Sequence, residues 1–260
     1  MVTARASRMR LSPRPAPLQF PFMTLDILAI GPHPDDVELL CGGTLAVSAD
    51  LGLRVGILDL TFGETATRGT VAARQAEAAE AARILGAEVR ENLGLPDAAI
   101  VNDPATRERL AVALRRLQPR VVIAPAIKGR HPDHTAAAQL VRDACFIAGL
   151  AKVAPEVPKF RPHKVVHAIA YREDHEKPTF VVDVTTGFER KLAAIACYRS
   201  QFDGLTQAGE VYPNGEPLAD IVTHQAAHYG SLIRCRYGEP FWTSESMRVG
   251  DVAGLEVATF

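Results

Sequence analysis

Apolar and polar positions alternate along the chain in blocks that fit a repeating strand–helix unit. Leu25 to Ile30 is a short, almost continuous apolar run, the pattern of a strand buried on both faces. Leu39 to Leu51 follows as a helix. Arg54 to Leu60 gives a second strand, and Val71 to Leu85 an Ala-rich helix stopped by Gly86, a good C-cap residue. Ala87 to Asn92 is a third strand. Asp103 and Pro104 have the chemistry of an N-cap and a first helical position, opening a helix to Gln118. Arg120 to Pro125 is a fourth strand, and the next helix runs from His134 to Leu150. A Pro-rich connector over Val153 to Pro162 leads to strands at Lys164 to Tyr171 and Thr179 to Val184. Helices are expected at Gly187 to Arg199 and Leu218 to Arg234, with Ser200 to Pro217 as loop.

Strands and helices alternating at this spacing predict an α/β fold. The expected form is a Rossmann-like, mostly parallel sheet with helices on both faces and the active site at the carboxyl ends of the strands. A chain of 260 residues can bury one sizeable core. With no internal repeat, one domain over residues 23–260 is expected. Residues 1–22 differ: they hold Arg5, Arg8, Arg10 and Arg14, four prolines and no acid. They lack the apolar core of a secretory signal, and Met23 stands just before the first strand, so a disordered extension is expected.

Charge excludes more than it suggests. A formal net charge of −1 provides no footprint for nucleic acid or an anionic membrane surface. No apolar run approaches the roughly 20 residues that span a bilayer. Cys41, Cys145, Cys197 and Cys235 are far apart with no C-x-x-C pair, the pattern of reduced thiols in a cytoplasmic protein.

The chemistry sits in two turns. His33-Pro34-Asp35-Asp36 follows the first strand, and His131-Pro132-Asp133-His134 follows the fourth. In a doubly wound sheet the chain reverses after the third strand, so the fourth pairs with the other side of the first. The crevice between their carboxyl ends is the ligand site, and topology alone brings the two turns together. The first turn lacks G-x-G-x-x-G, which removes the main support for a dinucleotide.

Convergent His and Asp in an open crevice suit a divalent cation, zinc best, although iron(II) accepts the same donors. His33, Asp36 and His134 supply three ligands. Asp35 is left to act as general base toward the attacking water. His131 is left to stabilise an oxyanion or to protonate the leaving amine. Asp133 either orients His131 or caps the helix beside it. Each motif alone is as readily a plain turn, because Pro and Asp favour turns and N-caps. Their joint occurrence at both switch-point turns favours a metal site.

Other candidates carry less. His224 and His228 are four apart on a helix but lack the intervening Glu of a zincin. His163, His167 and His175 have no partner pattern. Cys41 reads as a small buried hydrophobe. No G-x-S-x-G elbow supports a serine hydrolase.

With these residues in view, the chain resembles the PIG-L (LmbE-like) family of zinc-dependent N-acetylglucosamine deacetylases. The resemblance rests on Pro32 to Glu38 and on His131 to His134, and extends over roughly Leu25 to Trp242. It looks closest to the bacillithiol-biosynthesis enzymes that deacetylate N-acetylglucosaminyl malate, through Gly63 to Thr70, Gly94-Leu95-Pro96-Asp97 and Tyr198-Arg199-Ser200-Gln201-Phe202. It implies zinc on His33, Asp36 and His134, Asp35 as base, His131 as catalytic histidine and Asp133 as its partner acid. It further implies substrate contacts from Arg74, with Arg68 nearby, a small amino-sugar substrate, and a homo-oligomer, trimer or hexamer. Arginines able to pair bidentately suit the two carboxylates of malate. Against this, Arg74 could simply pair with Glu77 on the helix surface, and Arg130 is a weaker candidate of the same kind. Relatives that use a tyrosine on the oxyanion leave Tyr198, Tyr212 and Tyr229 open here. The alternatives are another GlcNAc conjugate, a thiol-conjugate amidase, a non-catalytic metal-binding module, or a metal-dependent phosphoesterase. The last usually needs two metals, and the two motifs offer ligands for one.

Overall fold

In the computed structural model, which describes residues 22–169, 177–203 and 217–257, strands and helices alternate as the sequence predicts. The described elements are β1 (Ile27–Gly31), α1 (Asp36–Asp50), β2 (Val55–Thr61), α2 (Val71–Leu85), β3 (Val89–Leu95), α3 (Pro104–Leu117), β4 (Val121–Ala124) and α4 (Pro132–Ala148). They continue as β5 (Lys164–Ala168), β6 (Phe180–Asp183), α5 (Phe188–Ile195), α6 (Arg199–Phe202), α7 (Leu218–Leu232) and β7 (Gly238–Trp242). Residues 1–21, Tyr171, His175, Tyr212 and most of the loop expected after Ser200 lie outside the described residues. No described helix is long and apolar enough to cross a membrane.

The strands form one sheet in the order β3-β2-β1-β4-β5-β7-β6. Ile27 stands opposite Val55 on one side and Val121 on the other, both pairings parallel. The chain therefore reverses after β3, and the carboxyl ends of β1 and β4 lie side by side, as the sequence argument required. Side chains alternate between the faces. Leu28 and Ile30 enter a core with Leu110, Leu114 and Leu140, under α3 and α4. Ala29 enters the opposite core with Leu45, Leu85 and Tyr198. Both faces are covered, which is why the central strands are apolar throughout.

The structure departs from expectation in three places. Helices α1 and α4 begin at Asp36 and Pro132, ahead of the starts expected, so both motifs lie in or against first helical turns. The helix expected from Gly187 to Arg199 breaks after Ile195 and resumes as the short α6. Strand β7 was not expected. Its Gly-Glu-Pro-Phe-Trp has no alternation, and Pro240 lacks a ladder donor. It is held antiparallel between β5 and β6, with the Ile169 N–H donating to the Pro240 carbonyl at 3.1 Å.

Strand β7 also supplies the group that mends a break in α1. Cys41 has φ −146° and ψ 20°, outside the helical range, and so interrupts the helix that carries Asp36. The freed backbone groups find a buried ion pair. Glu239 accepts the N–H of Gly43 at 2.9 Å and of Thr44 at 2.6 Å. Lys191 Nζ donates to the Leu39 carbonyl at 2.9 Å and pairs with Glu239 at 2.6 Å. Gly43 is required there, since a Cβ would lie 2.8 Å from Val184 Cβ. Removing one member of such a pair strands the other charge. Glu239→Ala should therefore destabilise the protein by about 3–5 kcal/mol, read as a lower urea midpoint. An unchanged midpoint would show that the break is held by something else.

Candidate active site

The first turn is fastened before it is functional. The Pro32 carbonyl accepts the N–H of Thr61 at 3.0 Å and its hydroxyl at 2.9 Å, tying the turn to the end of β2. Asp35 then adopts φ 125° and ψ −27°, a backbone conformation that favours glycine and costs a non-glycine about 1–3 kcal/mol. Arg74, from α2, holds it there. Its Nε donates to the Pro34 carbonyl at 2.9 Å and its second nitrogen to Asp35 Oδ2 at 2.7 Å. Gly63, at φ +67°, leaves room for that guanidinium, with which any Cβ would collide.

Asp36 joins the two turns. Its Oδ2 accepts the His33 N–H at 2.9 Å and lies 3.0 Å from His33 Nδ1. Its Oδ1 lies 3.1 Å from His134 Nε2, across the crevice. The other nitrogen of His33, Nε2, is 3.0 Å from Asp97 Oδ1 and 3.3 Å from Asp133 Oδ2. Two carboxylates thus keep the Nε2 proton, so the proton that His33 would give up to a cation is the one on Nδ1, which points at Asp36. His33, Asp36 and His134 each offer a donor atom within 4.8 Å of the others. Two imidazoles and a carboxylate are a donor set suited to a divalent cation. A second group, His33, His131 and Asp133, meets the same spacing but draws on the same imidazole. Filling both would strip His33 of both protons.

Asp133 departs from its expected part. Its carboxylate is turned to His33 and accepts the N–H of Ala98 at 2.8 Å and of Ile100 at 3.3 Å. What meets His131 is the Asp133 backbone N–H, which donates to Nδ1 at 3.2 Å and makes His131 the N-cap of α4. An Nδ1 that accepts leaves Nε2 as the proton-bearing nitrogen of neutral His131, a donor for an oxyanion. Burial and the neighbouring His33 and His134 lower its pKa, which favours that neutral form.

The remaining shifts follow from charge crowding. Burial pushes Asp35 up to about 7 against the pull of Arg74, within range of a base working near neutrality. Burial alone would lower His33, but Asp36, Asp35 and Asp97 raise it to about 9. His134 is raised by Asp36 despite burial. Against the same desolvation, His134 and His33 hold Asp36 well below the usual carboxylate range.

Reading the sequence missed Asp97 as a site residue. It is fixed by the Thr65 N–H at 2.9 Å and hydroxyl at 2.7 Å. Its signal was its place just past the carboxyl end of β3, on the same edge of the sheet as both motifs. Arg74 is buried on Asp35 and makes no surface pair with Glu77, which instead accepts from Ser200. Arg68 donates to the Asp203 carbonyl at 3.1 Å and is not among the residues lining the cleft. That cleft, of about 570 Å³, includes His33, Asp35, Arg74, Lys128, Arg130 and His131 in its walls. Tyr198 is fully buried, its hydroxyl donating to Glu38 at 2.9 Å, so it is no oxyanion donor. Tyr229 is also buried, in α7. Cys41 is buried in the apolar core. His167 is buried with Nδ1 at 2.7 Å from the Pro125 carbonyl, while His163, His224 and His228 belong to neither cation-competent group.

The model of the PIG-L family, described as GlcNAc-PI de-N-acetylase, matches residues 28–145, which span both motifs. The solved structure of a conserved protein from Thermus thermophilus is 41% identical with a TM-score of 0.78, covering 87% of this chain and 98% of that one. The 4-oxalmesaconate hydratase of Pseudomonas putida is 31% identical over 198 residues, 67% of this chain and 73% of the relative. The diacetylchitobiose deacetylase of Thermococcus kodakarensis is 29% identical over 226 residues, 82% of this chain and 80% of the relative.

The clamp on Asp35 can be tested without any substrate. In metal-free protein, carbon-detected NMR should find the Asp35 carboxyl titrating near 7. Arg74→Met removes the charge that draws this value down, so the titration should move to higher pH. A shift to lower pH, or none, would refute the clamp.

Proposed function

The chain belongs to the PIG-L (LmbE-like) family, and we propose that it is a metal-dependent amide hydrolase that removes acetate from an N-acetylglucosamine conjugate. The observation that carries this reading is Asp35, buried and clamped by Arg74, next to three donors that converge on one point. A pure binding module has no use for a base strained into that position. Zinc takes two imidazoles and a carboxylate in hydrolytic sites, leaving a position open, and iron(II) accepts the same set. Held by His33, Asp36 and His134, such an ion would supply Lewis acidity, polarising the acetamide carbonyl and making water acidic enough to react at neutral pH.

The chain's own residues do the rest. Asp35 takes a proton from the attacking water as its oxygen bonds to the acetyl carbon. His131, donating from Nε2, holds the oxyanion that develops. Asp35 then returns the proton to the sugar nitrogen, the C–N bond breaks, and acetate leaves with a free amine. Asp97 and Asp133 act one layer out, keeping His33 in one tautomer.

For the substrate, N-acetylglucosaminyl malate fits best, as used in bacillithiol biosynthesis. Lys128 and Arg130 line the cleft together with His131, side chains whose sign is the one a dicarboxylate pairs with. Arg74, expected to touch substrate, has its part in holding the base. Hydration of an unsaturated acid is the second reading, favoured by the identity with the Pseudomonas hydratase. The same base could add water across a double bond.

Zinc-loaded protein assayed for free amine and acetate from N-acetylglucosaminyl malate and diacetylchitobiose, and for water addition to 4-oxalmesaconate, decides between the two. Asp35→Asn should lower kcat by about 10²–10⁴-fold while zinc stays bound. Asp36→Ala and His134→Ala should lose the zinc itself. Full activity in Asp35→Asn would remove the base from the account, and hydration without acetate release would establish the second reading. The pH profile carries a sign of its own. Protonated Asp35 cannot accept, so the rate falls as pH drops, and a cation beside the carboxylate places that limb below the value of about 7 it has without one. A rate that rises on acidification through this range would contradict the assignment.

A further inference from the structure

Building on the amino-sugar reading above, we infer that Phe202 is a specificity-determining platform on which the apolar C–H face of the substrate's pyranose ring packs. Among the described residues lining the cleft, Phe202 carries the only phenyl ring. It stands at the end of α6 and is half-buried. One part of the side chain packs against two apolar clusters and meets Tyr198 edge to face, with centroids 6.3 Å apart and planes at 69°. The rest belongs to the cleft wall.

A helix of four residues has no stability of its own, so its position must come from tertiary contacts. The contacts around α6 are numerous for so short a segment. The Ser200 N–H and hydroxyl both donate to Glu77, at 2.8 and 2.6 Å. Gln201 Nε2 donates to the Arg68 carbonyl at 3.0 Å, and Arg68 returns a bond to the Asp203 carbonyl at 3.1 Å. One turn earlier, the Tyr198 hydroxyl is bonded to Glu38, two residues beyond Asp36. The ring is therefore tied to the same α1 turn that carries the reactive groups. An aromatic surface already fixed in place loses little freedom when a ligand arrives.

The rest of the lining includes groups of the opposite chemistry. Lys128, Arg130 and His131, on the segment between β4 and α4, line the cleft with polar groups. A cleft lined by a rigid aromatic ring and by polar, hydrogen-bonding side chains matches a ligand that carries both kinds of surface. A pyranose is such a ligand, with an apolar C–H face and a rim of hydroxyls. Pockets of this kind take affinity from the apolar wall and orientation from the few polar groups.

The test compares Phe202→Ala, Phe202→Leu and Phe202→Tyr with the wild type on N-acetylglucosaminyl malate and diacetylchitobiose, with zinc content and thermal midpoint as controls. Losing the platform should raise KM about tenfold in Phe202→Ala, with kcat within about twofold, and Phe202→Tyr should restore KM. Phe202→Leu, which replaces bulk but not a flat ring, should stay close to Phe202→Ala. Recovery of KM in Phe202→Leu would overturn the inference, because apolar filling would then suffice. An unchanged KM in Phe202→Ala would overturn it too, as would a fall in kcat with loss of zinc. Wild-type protein that turns over no amino-sugar acetamide overturns the underlying reading and the inference together. Wild-type turnover with KM insensitive to position 202 overturns the inference alone.

Discussion

The constraint that organises this molecule is buried negative charge. Asp35, Asp36, Asp97 and Asp133 are each less than a tenth exposed, and all converge on or beside His33. A carboxylate taken from water must be compensated or it protonates. Arg74 compensates Asp35. Backbone N–H groups of Thr65, Ala98 and Ile100 help to serve Asp97 and Asp133. Asp36 is left with the His33 N–H and the imidazoles of His33 and His134, the donor set of the proposed cation site. The strained backbone at Asp35, the glycine at 63 and the fixed tautomer of His33 are all ways of holding that charge in one place.

A second tier repeats the principle beneath the site. Glu38 is wholly buried and accepts from Arg90 at 2.5 Å and from Tyr198. Arg90 reaches Asp59 with two nitrogens, each at 2.8 Å. Burial, opposed by Arg90, leaves Asp59 raised to about 6. Further along α1, Lys191 and Glu239 close the break at Cys41. The helix bearing Asp36 is thus pinned by polar groups at both its first turn and its interruption. Elsewhere, Arg115 is fully buried and donates to five carbonyls of the segment from Ala148 to Val157, which fixes the connector leading to β5. Local geometry that propensity alone would not choose is maintained by buried charge held in hydrogen bonds, with only Glu38 Oε2 and the Thr44 hydroxyl left unbonded among the buried side-chain atoms of the described residues.

Much of this was legible in the sequence because it is local. Apolar runs marked β1, β2 and β4, and Gly86 and Asp103 marked helix ends, since strand burial and capping depend on a few adjacent residues. Parallel topology then places the two His/Asp turns together. What could not be read is non-local. β7 is a strand only because β5 and β6 flank it. Asp97 serves the site through a contact with His33 far along the chain, and Asp133 turns to the same imidazole for the same reason. Arg74, read as a substrate contact or a surface pair, is buried because Gly63 and the Pro34 carbonyl leave a slot for it. Side-chain roles in the site were set by packing between elements, and no spacing in the sequence encodes that.

The most direct test of the account is a crystal of the zinc-soaked protein, measured on both sides of the zinc absorption edge. The account predicts a single strong anomalous peak bounded by His33 Nδ1, Asp36 and His134 Nε2, with Asp35 still clamped by Arg74 beside it. A peak on the Asp97 and Asp133 side of His33, or none at the crevice, would contradict it.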